Sequence, residues 1–172
     1  MKNLTCFFAL LIINSVVICA QTRSAPKPIV KTSDIKTVKR EKFDPRRVAA
    51  DDLKAAITKA TAENKRIILD VGGEWCGWCR LMDNYLIENV ALGKLRDGNF
   101  VWLKINFSEE NENKEFLAAY PEIKGYPHLF VLEKDGKFLY SQDTSALEDG
   151  KSYDLQRFTD FLAKWSPAAK PE

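Results

Sequence analysis

Two cysteines, Cys76 and Cys79, lie three positions apart in the sequence Trp-Cys-Gly-Trp-Cys. That spacing puts both sulfurs on one face of a helix that begins at the first of them. The unpaired N–H groups and the dipole at a helix N-terminus favour a thiolate. A sulfur one turn further on can attack a mixed disulfide formed at the first one and release the product. The pair therefore predicts thiol–disulfide exchange, with Cys76 attacking and Cys79 resolving.

Other uses of the pair fit less well. A closed structural zinc site needs four ligands, and beyond residue 20 the chain has two cysteines and one histidine, His128. Covalent haem attachment needs histidine directly after the second cysteine, where Arg80 stands. An inert disulfide closing so short a loop adds little stability. Two alternatives stay open: a metal carrier that uses Cys76, Cys79 and His128, and a chaperone or binding module whose dithiol is incidental.

The first twenty residues resemble a targeting segment. A positive charge at Lys2 precedes an apolar run from residue 7 to 13, and Ala20 supplies a small residue before a cut. This predicts a cleavable signal peptide over 1–20 and a periplasmic or secreted protein, a buried N-terminal helix being the alternative. The run is too short for a comfortable membrane span. Cleavage removes Cys6 and Cys19 and leaves no cross-linking framework.

The composition is that of a soluble globular protein, with 172 residues, 45% of them hydrophobic and 29% charged. A formal net charge of +2 gives no electrostatic argument for nucleic acid or an anionic membrane. The polar, basic, proline-containing residues 21–43 predict a flexible linker. We expect one domain over 44–166, a disordered tail over 167–172, no membrane span in the mature chain, and a monomer.

Hydrophobic periodicity gives the order of the elements. It predicts a helix from Asp51, a buried strand over 66–71, a helix over 76–95, a strand over 100–106, a helix over 112–120, a hairpin of strands over 128–133 and 137–142, a polar loop over 143–152 and a helix over 153–165. Alternating helices and strands followed by a hairpin predict an α/β fold, with a central mixed β-sheet and helices on both faces.

From residue 44 to 165 the sequence resembles the thioredoxin superfamily, and more closely its exported bacterial members with a Trp-Cys-Gly-Trp-Cys motif. The resemblance implies a thioredoxin-like fold. It places Asp70 at the buried acid that handles the proton of the second cysteine, and Lys104 at the strand lysine beside that acid. It also places Tyr126 and Pro127 at a cis-proline pair that faces the disulfide and receives an extended substrate.

The residues themselves support these assignments to different degrees. Asp70 follows an Ile-Ile-Leu run, where a charged carboxylate is costly to bury, and such a group can take the Cys79 proton. Lys104 alternates with apolar neighbours, so it faces the opposite side of its strand, where an exposed lysine is the default. Trp75, Gly77 and Trp78 are candidates for an apolar rim around the disulfide. Core packing is the alternative for the tryptophans, more for Trp75 than for Trp78.

The sequence departs from the family pattern in four places. Thioredoxin has proline where this chain has Trp78, and the usual threonine is replaced by His128. The first strand of the family is not visible before the helix at Asp51, and the 143–152 loop lacks the glycine that the family usually has just after the hairpin. The resemblance implies a thiol–disulfide oxidoreductase without a cofactor, favouring net reduction or electron relay. Its partners would be protein thiols and disulfides and an unidentified upstream redox donor.

Overall fold

The computed structural model of the protein describes residues 39–167. The predicted signal peptide, most of the predicted linker and residues 168–172 lie outside this range. The helices are α1 (Ala49–Glu63), α2 (Gly77–Glu88), α3 (Val90–Asn99), α4 (Lys114–Leu117) and α5 (Leu155–Trp165). The strands are β1 (Arg66–Gly72), β2 (Phe100–Asn106), β3 (His128–Leu132), β4 (Phe138–Asp143), β5 (Glu148–Asp149) and β6 (Ser152–Tyr153).

Four strands form the central sheet in the order β2-β1-β3-β4. β1 runs parallel to β2 and antiparallel to β3, and β3 is antiparallel to β4. The predicted mixed sheet is therefore confirmed. β1 is nearly all apolar because both of its faces are covered: Ile68 belongs to the core under α2, α3 and α5, while Ile67 and Leu69 belong to the core under α1 and α4.

Two predicted helices differ from the observed ones. The helix expected over 76–95 is two helices that meet at Asn89, whose side-chain amide donates to the Tyr85 carbonyl at 2.8 Å. Asparagine competes in this way with the helical hydrogen bonds and favours a helix end. The helix expected over 112–120 shortens to the single turn of α4, which begins after Asn113 in the left-handed conformation.

The predicted polar loop over 143–152 is more ordered than expected. It contains a 3-10 turn, Thr144–Leu147, followed by the short hairpin of β5 and β6. The Asp143 carboxylate accepts the Ser145 N–H at 2.9 Å and caps the turn. Leu147 and Tyr153 are buried in the core. Packing therefore holds this segment in place, although most of its residues are polar.

The domain begins before residue 44, which corrects the boundary expected from the sequence. Phe43 is buried, and Arg40 forms ion pairs with Glu74 and Asp83. Residues 40–43, assigned to the flexible linker, are thus packed against the domain, because an aromatic ring and a guanidinium both find partners there. No strand precedes α1 between residues 39 and 48, as the sequence indicated.

Candidate active site

The cysteine pair lies at the start of α2, shortly after the end of β1. Cys76 is the N-cap residue of α2, and its N–H donates to the Gly73 carbonyl at 3.0 Å. Cys76 and Cys79 form a disulfide with a Cα–Cα distance of 5.3 Å. The Cys79 N–H donates to Cys76 Sγ at 3.0 Å, so the helix terminus stabilises charge on that sulfur. Cys76 keeps 4% exposure and Cys79 none, so Cys76 is the more accessible of the two cysteines.

Cys79 lies directly against the backbone of β1. A Cβ added at Gly72 would lie 2.5 Å from Cys79 Sγ and 3.1 Å from the Phe43 ring. Only glycine leaves room for the sulfur at this position. Gly72 and Asp70 are two positions apart on one strand and share a face of the sheet. The resolving sulfur and the buried acid therefore lie on the same side of β1.

Asp70 is fully buried with one hydrogen-bonded oxygen and one free oxygen. Its Oδ2 accepts from Lys104 Nζ at 2.8 Å and from Trp102 Nε1 at 3.0 Å. Its Oδ1 has no hydrogen-bond partner among residues 39–167. Asp70 and Lys104 are also register partners on β1 and β2, so Lys104 is a buried partner of the acid and not the exposed lysine that is the default.

A second buried carboxylate, Asp83, was missed in the sequence. Lys104 Nζ donates to Asp83 Oδ1 at 2.7 Å, and Arg40 donates to Asp83 Oδ2 at 3.1 Å. Asp83 lies four residues after Cys79 on α2, so helical spacing could have found it. Arg40 carried no signal, because it stands in a polar basic stretch. We call Arg40, Asp70, Asp83 and Lys104 the buried charge cluster.

The ionisation of the cluster follows from burial and pairing. Burial, and then the charge of Asp70, raise the pKa of Asp83, while Lys104 and Arg40 act in the opposite direction. Burial by itself lowers the pKa of Lys104, but the two carboxylates outweigh it and hold the pKa above its usual value. Lys104 therefore stays charged at neutral pH.

Residues 40–43 cover the site on the side where Glu74 lies. Arg40 donates to Glu74 Oε1 at 2.9 Å, and the Phe43 N–H donates to the same oxygen at 3.0 Å. Lys104 Nζ lies 4.0 Å from the centroid of the Phe43 ring. Phe43 also forms a small buried cluster with both cysteines. The segment thus contacts the disulfide and the buried charge cluster together.

The outer side of the disulfide is aromatic. Trp75 is 57% exposed, and its Nε1 donates to the Phe107 carbonyl at 2.6 Å. The Tyr126 ring meets Trp75 edge-on at 5.6 Å between centroids and stacks on Phe107 at 4.9 Å. These contacts fix an exposed indole beside the motif, so Trp75 suits the predicted rim.

Trp78 lies deeper than Trp75, the reverse of the order expected from the sequence. It is half-buried, meets the Tyr153 ring edge-on at 5.6 Å and packs on the core under α2. Gly77 between the cysteines is exposed, with no atom within 4 Å of an added Cβ. Of the three rim candidates, Trp78 contributes most to packing.

The peptide bond between Tyr126 and Pro127 is cis, as the resemblance implied. The Pro127 carbonyl accepts the hydroxyl of Thr144 at 2.6 Å, and Thr144 is buried. The loop that lacks the family's glycine is therefore tied to the proline by a threonine. No local sequence pattern indicated this contact, because threonine is common in surface loops.

His128 does not join the cysteines in a ligand set. It shares a sheet face with Phe130, whose ring centroid is 4.8 Å away, and its Nε2 pairs with the Ser141 hydroxyl at 2.7 Å. Its buried Nδ1 has no hydrogen-bond partner within residues 39–167, and burial lowers the pKa of the ring. Within residues 39–167 no three His, Cys, Asp or Glu side chains are grouped as a metal site, which gives the metal-carrier alternative no support.

The sheet order, a disulfide at the start of α2 and a cis-proline before β3 define a thioredoxin-fold domain with a redox-active Cys-x-x-Cys pair, the thiol–disulfide oxidoreductase class. Residues 48–134 match the model of the family described as thioredoxin-like. The chain belongs to that family. No helix between residues 39 and 167 has both the length and the apolarity needed to cross a membrane.

Solved and curated relatives agree with this placement. A disulphide isomerase from Xylella fastidiosa is 28% identical with a TM-score of 0.61, the match covering 71% of this chain and 94% of that one. Human spermatogenesis-associated protein 20 is 39% identical over 31% of this chain and 7% of its own length. The thiol:disulfide interchange protein DsbD of Pseudomonas fluorescens is 26% identical over 63% of this chain and 18% of its own. The chain thus spans less than a fifth of these two curated relatives.

Proposed function

We propose that this protein is exported and that it reduces or exchanges disulfides of protein partners through Cys76 and Cys79. The observation that carries the proposal is the placement of Asp70, whose free buried oxygen lies on the same face of β1 as the Cys79 contact at Gly72. A buried acid on the strand face that Cys79 Sγ contacts can take the proton of that sulfur during exchange.

In the first step, the Cys76 thiolate attacks one sulfur of a partner disulfide. The Cys76–partner bond forms, the partner's S–S bond breaks, and the released partner thiolate takes a proton from water. Cys76 suits this role because it is the more exposed sulfur and caps α2, where the Cys79 N–H points at it.

In the second step, Cys79 attacks Cys76 Sγ and releases the second partner sulfur as a thiolate, which takes a proton from water. The Cys76–Cys79 bond forms, the Cys76–partner bond breaks, and the Cys79 proton passes to Asp70. The dithiol has then lost two electrons, which the partner's two sulfurs have gained. Lys104 and the Trp102 indole hold Asp70 in place through its other oxygen. A dithiol donor restores the starting state.

The partner's polypeptide is received on the outer side of the disulfide. We assign this role to Trp75, Gly77, Tyr126 and Pro127, with Trp78 as a supporting residue below them. Gly77 and Trp75 are exposed beside Cys76, and the cis-proline leaves the Tyr126 backbone available to an extended segment. The rigid aromatic contacts of Trp75 keep this surface in place before a partner arrives.

The direction of the reaction and the compartment are part of the proposal. Asp70, Lys104 and Gly77 follow the thioredoxin pattern, which favours net reduction over oxidation. A reduction potential near about −270 mV would support a reductant and one near about −120 mV an oxidant. The sequence of residues 1–20 favours export. Protein recovered from cells should begin at Gln21, and an intact Met1 would contradict cleavage.

Reduction of insulin with dithiothreitol as electron source tests the activity. We expect turnover by the natural protein and none by Cys76→Ser, while Cys79→Ser should accumulate a mixed disulfide. Equal turnover by Cys76→Ser would overturn the proposal. If client protection in a chaperone assay survived the Cys76→Ser/Cys79→Ser double change while insulin was not reduced, the binding module would be the better description.

A further inference from the structure

The 40–43 segment contacts both the disulfide and the buried charge cluster, yet it lies before the residues that match the family model, 48–134. Its residues have no place in the two steps above. Phe43 is 3% exposed and covers Lys104, and the Arg40 guanidinium bridges Glu74 and Asp83. Neither the burial of Phe43 nor the ion pairs of Arg40 are expected of a flexible linker.

The ionic contacts of this region form a continuous chain that leads inward from the surface. The exposed fraction of the side chain falls from 17% at Arg40 to 6% at Asp83, 5% at Lys104 and 0% at Asp70. Each member touches the next at 3.1, 2.7 and 2.8 Å. A change of charge at Arg40 therefore alters the electrostatic potential at Asp70, because the buried surroundings screen charges only weakly.

A cavity of about 440 Å³ lies on this side of the molecule, and Arg40, Asp83 and Lys104 are part of its wall. Neither Trp75 nor Tyr126, to which the proposed function assigns partner binding, belongs to this wall. The other charged groups around it are Lys39, Glu41, Lys59, Lys65, Arg96 and Asp97. Tyr153, whose pKa is raised by burial and further by charges that include Asp70 and Asp83, faces the cluster from β6.

We infer that Arg40 and Phe43 are positioning residues of the redox site: Arg40 holds Asp83, Phe43 covers Lys104, and together they set the pH range in which Asp70 accepts the Cys79 proton. This inference rests on the proposed function. It adds to it a determinant outside the part of the chain that matches the family.

The sign of the effect follows from charge. A nearby cation favours the ionised form of a carboxylate, so Arg40 favours negative charge on Asp83, which it contacts at 3.1 Å, and through Lys104 on the whole buried charge cluster. Asp70 accepts a proton only when it is ionised. Removing Arg40 should therefore move the acid side of the pH profile of the second step to higher pH. The Phe43 ring favours the charged form of Lys104, so its loss acts in the same direction but more weakly.

The test is a single turnover of the reduced full-length protein with Ellman's reagent. The attack of Cys76 releases one thionitrobenzoate, and the attack of Cys79 releases the second. The rate of the second release, followed from about pH 5.5 to about pH 9, reports the step in which Asp70 acts. Arg47→Ala is the matched control, because Arg47 pairs with Glu41 and Asp52 at the surface.

For Arg40→Ala we expect a second release about three- to tenfold slower near pH 6 and within about twofold of the natural protein near pH 9. Phe43→Leu should shift less, and Arg47→Ala should not shift. Should Arg40→Ala fail to fold, Arg40→Gln and Arg40→Lys replace it, and only the glutamine variant should shift. In an Asp83→Asn background, the pH shift caused by Arg40→Ala should shrink, because its target charge is gone.

Superimposed profiles, or a rate lowered equally at every pH, would overturn the inference, since a merely structural role moves stability and not the position of the profile. Absence of the second release from the natural protein would instead contradict the proposed function. The two failures are thus distinguishable in one experiment.

Discussion

The two faces of the central sheet both bury titratable groups near the disulfide, but they do so in opposite ways. On the face of α2, Asp70, Lys104 and Asp83 are joined by short ion pairs. On the other face, His128 Nε2 pairs with the Ser141 hydroxyl, and its Nδ1 has no hydrogen-bond partner in the part of the chain that the structure describes. Burial is compatible with charge only where charges pair. The first face therefore holds ions, and the second holds a neutral ring.

The faces also differ in what they can do for the sulfurs. Cys79 lies against Gly72, on the face that carries Asp70. A paired carboxylate with a free oxygen can take a proton there. His128 lies beside Phe130 on the opposite face, so the sheet separates it from Cys79. The proposal therefore places proton transfer on one face and leaves the other to stability.

The largest effect is expected from Asp70→Asn. Asparagine keeps the shape and can still accept the Trp102 N–H, but it cannot take the Cys79 proton. We expect the second release of thionitrobenzoate to slow about 100-fold at neutral pH, the lower end of what a positioned base contributes. Asp97→Asn, which removes an exposed carboxylate paired with Arg96, is the control. Equal second-release rates in the two variants would exclude Asp70 as the base.

Lys104→Met tests whether the ions of this face depend on one another. The change leaves Asp70 and Asp83 buried without their shared cation, and removing one partner of a buried pair typically costs about 3–5 kcal/mol. Urea unfolding should show this loss in the free energy of unfolding. Lys114→Met is the control, because Lys114 is 79% exposed and pairs with Glu112 at the surface. It should leave the urea midpoint unchanged. Similar midpoints would mean that the network contributes little.

Gly72→Ala and Gly77→Ala compare a buried and an exposed glycine at the motif. Alanine at 72 would place a carbon 2.5 Å from Cys79 Sγ, so we expect a loss of about 1–3 kcal/mol in unfolding free energy and a displaced sulfur. Alanine at 77 meets nothing within 4 Å and stands at the first position of α2. It should be neutral or slightly stabilising in thermal unfolding. Equal losses would contradict the close approach.

Much of this site was readable from the sequence, and the parts that were not share a cause. The spacing of the cysteines predicted Cys76 and Cys79, and the resemblance added Asp70, Lys104 and the cis bond before Pro127. Asp83 could have been found from helical spacing. Arg40 and Phe43 could not, because a polar basic stretch acquires structure only through tertiary contacts that no local pattern records.

The loop after β4 shows the same limit from another side. Its polar residues indicated an irregular segment, yet Thr144 is buried and donates to the Pro127 carbonyl. The two tryptophans reversed their expected order because Trp75 turns outward to the Phe107 carbonyl, while Trp78 follows the helix onto Tyr153. Composition predicts how polar a segment is, but not which of its side chains the fold encloses.

The smallest effect is expected on the second face, from His128. Burial holds the pKa of this ring below its usual value near 6.5, only partly offset by the charge of Asp143. The unfolded chain therefore binds the proton more readily than the folded one. The contribution of the neutral ring is complete above about pH 6.5 and is lost as the pH falls through the lowered value.

His128→Gln should remove this part of the pH dependence, because glutamine can still pair with the Ser141 hydroxyl but does not titrate. Urea unfolding of the natural protein and the variant at about pH 7.5 and about pH 5 gives the comparison. We expect the natural protein to lose more unfolding free energy on acidification than the variant. The rate of the second thionitrobenzoate release near pH 7.5 should be the same in both proteins. A change in that rate would show that the sheet does not separate the two faces and would return His128 to the redox site.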